Sequence, residues 1–253
     1  MRITTRQNVH QLSFMPRLFP VNAYLVEEQD GLTLIDAALP YSDKGILQAA
    51  DQIGKPITRI VLTHAHGDHI GALDKLKAAL PHAEIAISAR DARLLAGDAS
   101  LDPAEQQMPV RGDVPKPGAI RTTPGTLLAD GDRIGSLLAV ATPGHTPGSM
   151  SFLDTRTGAL IAGDAFQVRG GIAVSGHMKP LFPFPAMATW SASEALRSAM
   201  RLLELKPALL AVGHGRMIVD PIAVMTDAIR AAERRLAERS ERGGASHVTA
   251  NRT

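Results

Sequence analysis

Apolar and polar positions along this chain fall into short blocks whose period switches between strand-like and helix-like spacing, which predicts strands interleaved with helices. Strands are predicted over 21–26 and 32–35, joined across Gln29-Asp30-Gly31, a hairpin signal. A helix over 42–53 is closed by Gly54, with Pro56 beyond it. The β-branched run at 60–63 reads as a buried strand, and Leu73, Leu76 and Leu80 place a helix over 70–80. A strand over 84–88 and a short helix over 89–97 follow. Five prolines between 98 and 125 leave that stretch irregular, since proline removes a donor and fixes φ. Apolar runs at 137–141, 159–163 and 208–212 are further buried strands, and helices are predicted over 191–205 and 221–242. No internal break divides these blocks, so residues 1–242 are predicted as a single domain and 243–253 as a disordered tail.

The chemistry collects where predicted strands end. His64, His66, Asp68 and His69 sit in one strand-to-helix turn, so His64 and His66, at i and i+2, can face one ion while Asp68 and His69 are displaced toward a second. Gly67 is expected to allow a tight turn between these pairs. His145 follows a strand inside Thr142-Pro143-Gly144-His145-Thr146-Pro147-Gly148, a rigid turn. Asp164 ends the next apolar run, where a helix N-cap is the competing role. His214 lies between Gly213 and Gly215 at the end of another run. His10, His82 and His247 are isolated and read as ordinary surface or satisfied groups, and His177 stays open.

In order and spacing, these motifs resemble those of the metallo-β-lactamase fold superfamily, and the resemblance spans roughly residues 9–235. It implies an α/β fold, a four-layer αββα sandwich with metals in a cleft at one edge of the paired sheets. It also implies that His64, His66 and His145 hold one ion, that Asp68, His69 and His214 hold the other, and that Asp164 bridges them. Asp36, after the strand at 32–35, is similar to a structural aspartate of the family. Two divalent ions are then the expected cofactors, zinc first, with manganese or iron as alternatives.

Composition narrows the branch. The chain has no cysteine, which excludes disulfides and the members that use cysteine at the second metal. The resemblance then points to the glyoxalase II, lactonase and related esterase or phosphodiesterase branches. A dinuclear hydrolase using a metal-bridging hydroxide on a carboxylic ester, lactone or thioester with an apolar portion is expected, with Asp68 as catalytic residue orienting the nucleophile and relaying its proton. The lactonase branch often carries a tyrosine after the bridging aspartate, whereas the tyrosines here are Tyr24 and Tyr41. A nucleic-acid or phosphodiester-processing metallohydrolase and a mononuclear iron persulfide dioxygenase are the alternative activities.

Apolar residues also fall outside the regular blocks. Phe14, Phe19, Phe182, Phe184 and Trp190 lie in two proline-containing loops and are candidates for a wall that receives a small-molecule substrate's apolar group. A homodimer interface is their competing role. Net charge is +2 from 27 basic and 25 acidic residues, and the arginines near the C-terminus alternate with glutamates, so no nucleic-acid partner is expected. No signal-peptide core or apolar run of spanning length is present in the sequence, and cytoplasmic localisation is the expectation.

Overall fold

The computed structural model describes residues 1–249, with side chains described for 1–239 and 241. Seven strands build the first sheet in strict chain order: β1 (Arg2–Arg6), β2 (Val9–Phe14), β3 (Val21–Glu27), β4 (Leu32–Ile35), β5 (Ile57–Val61), β6 (Glu84–Ser88) and β7 (Thr126–Leu128). The first four pair antiparallel, and β4 through β7 pair parallel across crossovers that carry α1 (Asp43–Ile53), α2 (Gly67–Ile70), α3 (Leu73–Ala79) and α4 (Ala89–Leu95). The second sheet contains β8 (Arg133–Ile134), β9 (Leu137–Ala141), β10 (Met150–Asp154) and β11 (Ala159–Ile161), continued by β14 (Leu209–Ala211) and β15 (Ile218–Val219). A two-stranded ribbon, β12 (Phe166–Gln167) with β13 (Ala173–Val174), leads to α5 (Phe184–Met187) and α6 (Ala192–Glu204), and α7 (Ile222–Thr249) closes the chain.

Strand periodicity explains the layers. Successive side chains point to opposite faces of a sheet, and here both faces are covered. On β3, Val21, Ala23 and Leu25 join the helices of the first layer, whereas Tyr24 and Val26 face the second sheet. On β14 and its exit, Leu210 and Val212 pack against α6 and α7, whereas Leu209 and Ala211 face inward. Phe152 and Ile161 meet Tyr24 and Ile35 between the sheets. The result is the four-layer αββα sandwich.

The structure departs from the sequence reading at several elements. The apolar pattern does not predict β2 or β10, because buried His10, Gln11 and Ser13 in one, and Ser151 and Asp154 in the other, break the apolar runs. The helix expected over 70–80 is split in two. The Gly71 amide donates to Ala38 O instead of continuing the helix ladder. The last helix passes Gly243 and runs to Thr249, since glycine weakens a helix without forbidding it. Of the predicted tail, residues 250–253 lie outside the described residues. Among the described residues, no helix is long and apolar enough to cross a membrane.

Because Phe152 is fully buried between the sheets, Phe152→Ala should cost about 3–5 kcal/mol. Leu181→Ala, at a site 84% exposed, should stay within about 0.5 kcal/mol. Denaturant titration of both variants checks the contrast, and equal losses would contradict the assigned core.

Candidate metal centre

Each candidate ligand leaves the C-terminal end of a strand. His64, His66, Asp68 and His69 follow β5, His145 follows β9, Asp164 follows β11 in a single 3₁₀ turn (Gly163–Ala165), and His214 follows β14. The two sheets therefore contribute at a common edge. Backbone bonds stitch that edge: Met150 N donates to Thr63 O, Gly213 N to Gly163 O, and Asn22 N to Gly213 O. The buried Tyr24 hydroxyl donates to Val212 O at 2.6 Å, and Asn22 Nδ2 donates to Val212 O and Gly215 O.

The side chains converge. Ligand atoms of His64, His66 and His145 lie within 4.8 Å of one another, as do those of Asp68, His69 and His214, and those of His64, His69 and Asp164. His66 Nδ1 is 3.0 Å from His145 Nε2, His145 Nε2 is 3.3 Å from Asp164 Oδ2, and His214 Nε2 is 3.1 Å from the same carboxylate. Ligands about 2.0–2.1 Å from a tetrahedral ion stand roughly 3.3 Å apart, so these separations suit a small divalent cation. His64 Nε2, His69 Nε2 and Asp164 Oδ1 are buried with no hydrogen-bond partner, which an ion would supply. The donor set of five imidazoles and two carboxylates fits zinc, manganese or iron.

The other nitrogen of every imidazole is tied to the protein. His64 Nδ1 meets Thr63 Oγ1 at 2.9 Å, His66 Nε2 donates to Arg111 O at 2.8 Å, and His69 Nδ1 donates to Asp36 Oδ2 at 2.7 Å. His145 Nδ1 meets Ser175 Oγ at 2.9 Å, and His214 Nδ1 donates to Pro20 O at 2.7 Å. Such outer partners fix ring orientation and tautomer. Sequence reasoning singles out the seven candidate ligands that converge here, and Asp36. It does not find Asp91, whose buried carboxylate accepts from Ala65 N, Gly148 N and Thr146 Oγ1 and so joins the His64–His66 turn to the His145 turn. An Asp at the start of a short helix gives no signal beyond an acidic first turn.

Burial and neighbouring charge set the protonation of the cluster. Burial, aided by the other imidazoles, pushes His64 well below its ordinary value, and burial takes His145 down to about 3. These rings are therefore neutral, as ligation requires. Burial alone would lower His69, but Asp36, Asp164 and Asp68 outweigh it and raise it to about 10. Burial would raise Asp164, yet His214, His69 and His145 hold it well below the carboxylate range. Before any ion binds, the carboxylates thus favour the protonated ring at His69 and the imidazoles favour the ionised carboxyl at Asp164.

A cavity of about 410 Å³ opens onto the centre. Phe19, Phe184, Pro185, Met187 and Ala188 form its apolar wall, and His66, His145, His214, Asp68 and Asp164 line its floor. Of the five aromatic candidates, Phe19 and Phe184 face this space. Phe182 is buried behind them, with its ring 5.1 Å from Phe19 and 5.5 Å from His214. Phe14 and Trp190 require correction. Phe14 ends β2 and packs into the first helix layer, and buried Trp190 donates Nε1 to Met108 O. Loop-like sequence does not reveal burial, because Phe14 belongs to a strand and Trp190 is covered while its neighbours Leu181, Phe184 and Met187 are exposed. His177 lies outside the cluster, in a small recess with Arg235 and Arg239. The side chain of His247 lies outside the described residues.

Comparison with known proteins gives the same pattern. The chain is 60% identical over 234 residues to the uncharacterized protein YobT of Bacillus subtilis (strain 168), covering 92% of this chain and all of YobT. It is 30% identical to the probable metallo-hydrolase YflN of the same organism, over 77% of this chain and 80% of YflN. The crystal structure of TTHA1623 in a di-iron-bound form aligns with a TM-score of 0.60 at 28% identity, over 84% of this chain and 95% of that one. The family model described as the metallo-beta-lactamase superfamily matches residues 16–214, a span that includes every candidate ligand from His64 to His214. With that match over most of its length and the αββα sandwich beneath it, the chain belongs to the metallo-beta-lactamase superfamily and is a metal-dependent hydrolase.

Proposed function

We propose that the protein is a dinuclear hydrolase of carboxylic esters, lactones or thioesters that carry an apolar portion. The observation that carries this reading is the pair of three-ligand groups, His64/His66/His145 and Asp68/His69/His214, with Asp164 between them beneath a largely apolar cavity. When bound there, two divalent ions supply Lewis acidity toward a carbonyl oxygen and bring the pKa of a water molecule toward neutrality. Zinc is the first expectation, and the similarity to TTHA1623, whose crystal structure is of a di-iron-bound form, makes iron the second.

The protein's own residues do the rest. Asp68 is the least buried carboxylate of the cluster, at 26% side-chain exposure against 3% for Asp164, and its Oδ2 lies 3.5 Å from His214 Nε2. In this reading it orients the attacking water and takes up its proton, handing that proton to the leaving oxygen or sulfur. Asp164, enclosed by His69, His145 and His214, stays ionised and fixed. Phe19 and Phe184 cover the His214 side of the floor, where an apolar acyl chain would displace water.

Three outcomes are expected. Titration of metal-free protein should saturate close to two ions per chain, with Asp164→Asn weakening both; saturation at one ion would end the dinuclear reading. Asp68→Ala should lose at least about 10²-fold in turnover, whereas His82→Ala should change it little. Near-normal turnover by a metal-loaded Asp68→Ala protein would contradict the assigned role. Finally, kcat/KM over a series of acyl esters should rise by up to roughly 0.8 kcal/mol per added methylene until the wall is filled. Phe184→Ala should flatten that slope, and a preference for short polar esters would defeat the apolar-wall assignment.

A further inference from the structure

The two sides of the cavity differ in chemistry, and one carboxylate on its rim is used by nothing else. Asp113 lies in the irregular stretch after α4, exposed to solvent, and lines the cavity on the His66 side. Its carboxylate has no hydrogen-bond or ion-pair partner among the described residues. The segment that carries it is nonetheless held in place. Gly67 N donates to Asp113 O at 2.8 Å, Arg111 O accepts from His66 Nε2, and Val110 and Val114 pack on the first core.

Two glycines record how closely this segment approaches the metal motif. Gly112 has φ of 91°, and a Cβ there would fall 2.5 Å from His66 Nε2. Gly67 has no positive φ, contrary to the turn role expected from the sequence. A Cβ on it would instead collide with the Asp113 carboxylate. A side chain at 67 would therefore have to displace the Asp113 carboxylate from where it stands.

Formal charge on the side chains that line the cavity is one-sided, and ions bound at the floor would offset that of Asp68 and Asp164 but not that of Asp113 on the rim. Asp68, Asp113 and Asp164 line it, and no lysine or arginine does among the described residues. Asp68 and Asp164 belong to the histidine cluster, which leaves Asp113 free to meet substrate. The apolar wall stands on the other side, with Phe19 in ring contact with His214 at 5.4 Å. A molecule lying across the metal floor would therefore place its apolar end toward His214 and its other end toward Asp113.

Building on the hydrolase reading above, we infer that Asp113 is a specificity-determining residue. It selects substrates that carry a cationic group on the side of the scissile bond away from the apolar portion, and it disfavours substrates that carry a carboxylate there. The mechanism is a rim contact in partial solvent, so its effect is a few-fold for each charge compared with a neutral group.

The test uses metal-loaded protein and three butyryl esters: those of choline and of its neutral isostere 3,3-dimethylbutanol, and the smaller ester of glycolate. For the native chain, kcat/KM should favour the choline ester over the neutral isostere by about 3-fold, and should disfavour the glycolate ester by a similar factor. Asp113→Asn should bring both ratios toward one, and Asp113→Lys should reverse their order. Ratios that are the same in all three proteins, or a native preference for the glycolate ester, would overturn the inference. Calorimetric binding of hexyltrimethylammonium against hexanol to the same proteins provides a readout independent of turnover. If none of the three is hydrolysed, simple acyl esters are excluded as substrates, and the cation-to-alcohol affinity ratio still decides the role of Asp113. A ratio unaffected by Asp113→Asn would reject it.

Discussion

Five imidazoles held with their inner nitrogens a few ångströms apart form the constraint on which the site depends. Their rings are almost wholly buried, and protonating several at once would place like charges together in a poorly screened site. The protein meets this in two ways. It binds each outer nitrogen, so ring orientation is set before any ion arrives. It also surrounds His69 with Asp36, Asp68 and Asp164, carboxylates that favour a proton, or a cation in its place, at that ring.

Two carboxylates outside the ligand set grip the backbone on either side of His64. Asp36 accepts from Thr63 N and Thr63 Oγ1, and Asp91 accepts from Ala65 N. His64 is thereby fixed through its chain neighbours as well as its own ring. Asp36 adopts φ of 63°, an unusual backbone for a residue with a side chain, and it is among the residues nearest the ligand turn. Burial raises the Asp91 carboxyl to about 6, even though three hydrogen bonds favour its charged form. Its position is maintained by the donors that converge on it.

The strands, the helices and the clustered candidate ligands were legible because they leave local marks, whereas the four-layer arrangement came from the family resemblance. Buried strands are apolar runs, and imidazoles between glycines and prolines at their ends stand out. What stayed hidden depends on contacts between segments far apart in the chain. β2 escaped because His10, Gln11 and Ser13 are polar yet buried: Gln11 donates to Tyr24 Oη and Gly215 O, and His10 pairs with Glu27. Asp91 and Asp113 escaped for the same reason, since their roles appear only when 146–148 and 67 come alongside them. Phe14 and Phe19 look alike in sequence, five residues apart, yet one enters the helix layer and the other faces the cavity.

The ligands come from both sheets: one cluster follows β5 in the first, and three single residues follow β9, β11 and β14 in the second. Any ion that joins His64 or His69 to His145 or His214 is also a clasp between the two halves of the sandwich. Its binding free energy then enters the stability of the whole molecule by mass action, at about 2.7 kcal/mol for a hundredfold excess of free ion over the dissociation constant. Thermal tolerance of this protein is accordingly a property of its surroundings as much as of its sequence. A cell short of the metal would hold a looser molecule before it held an inactive one.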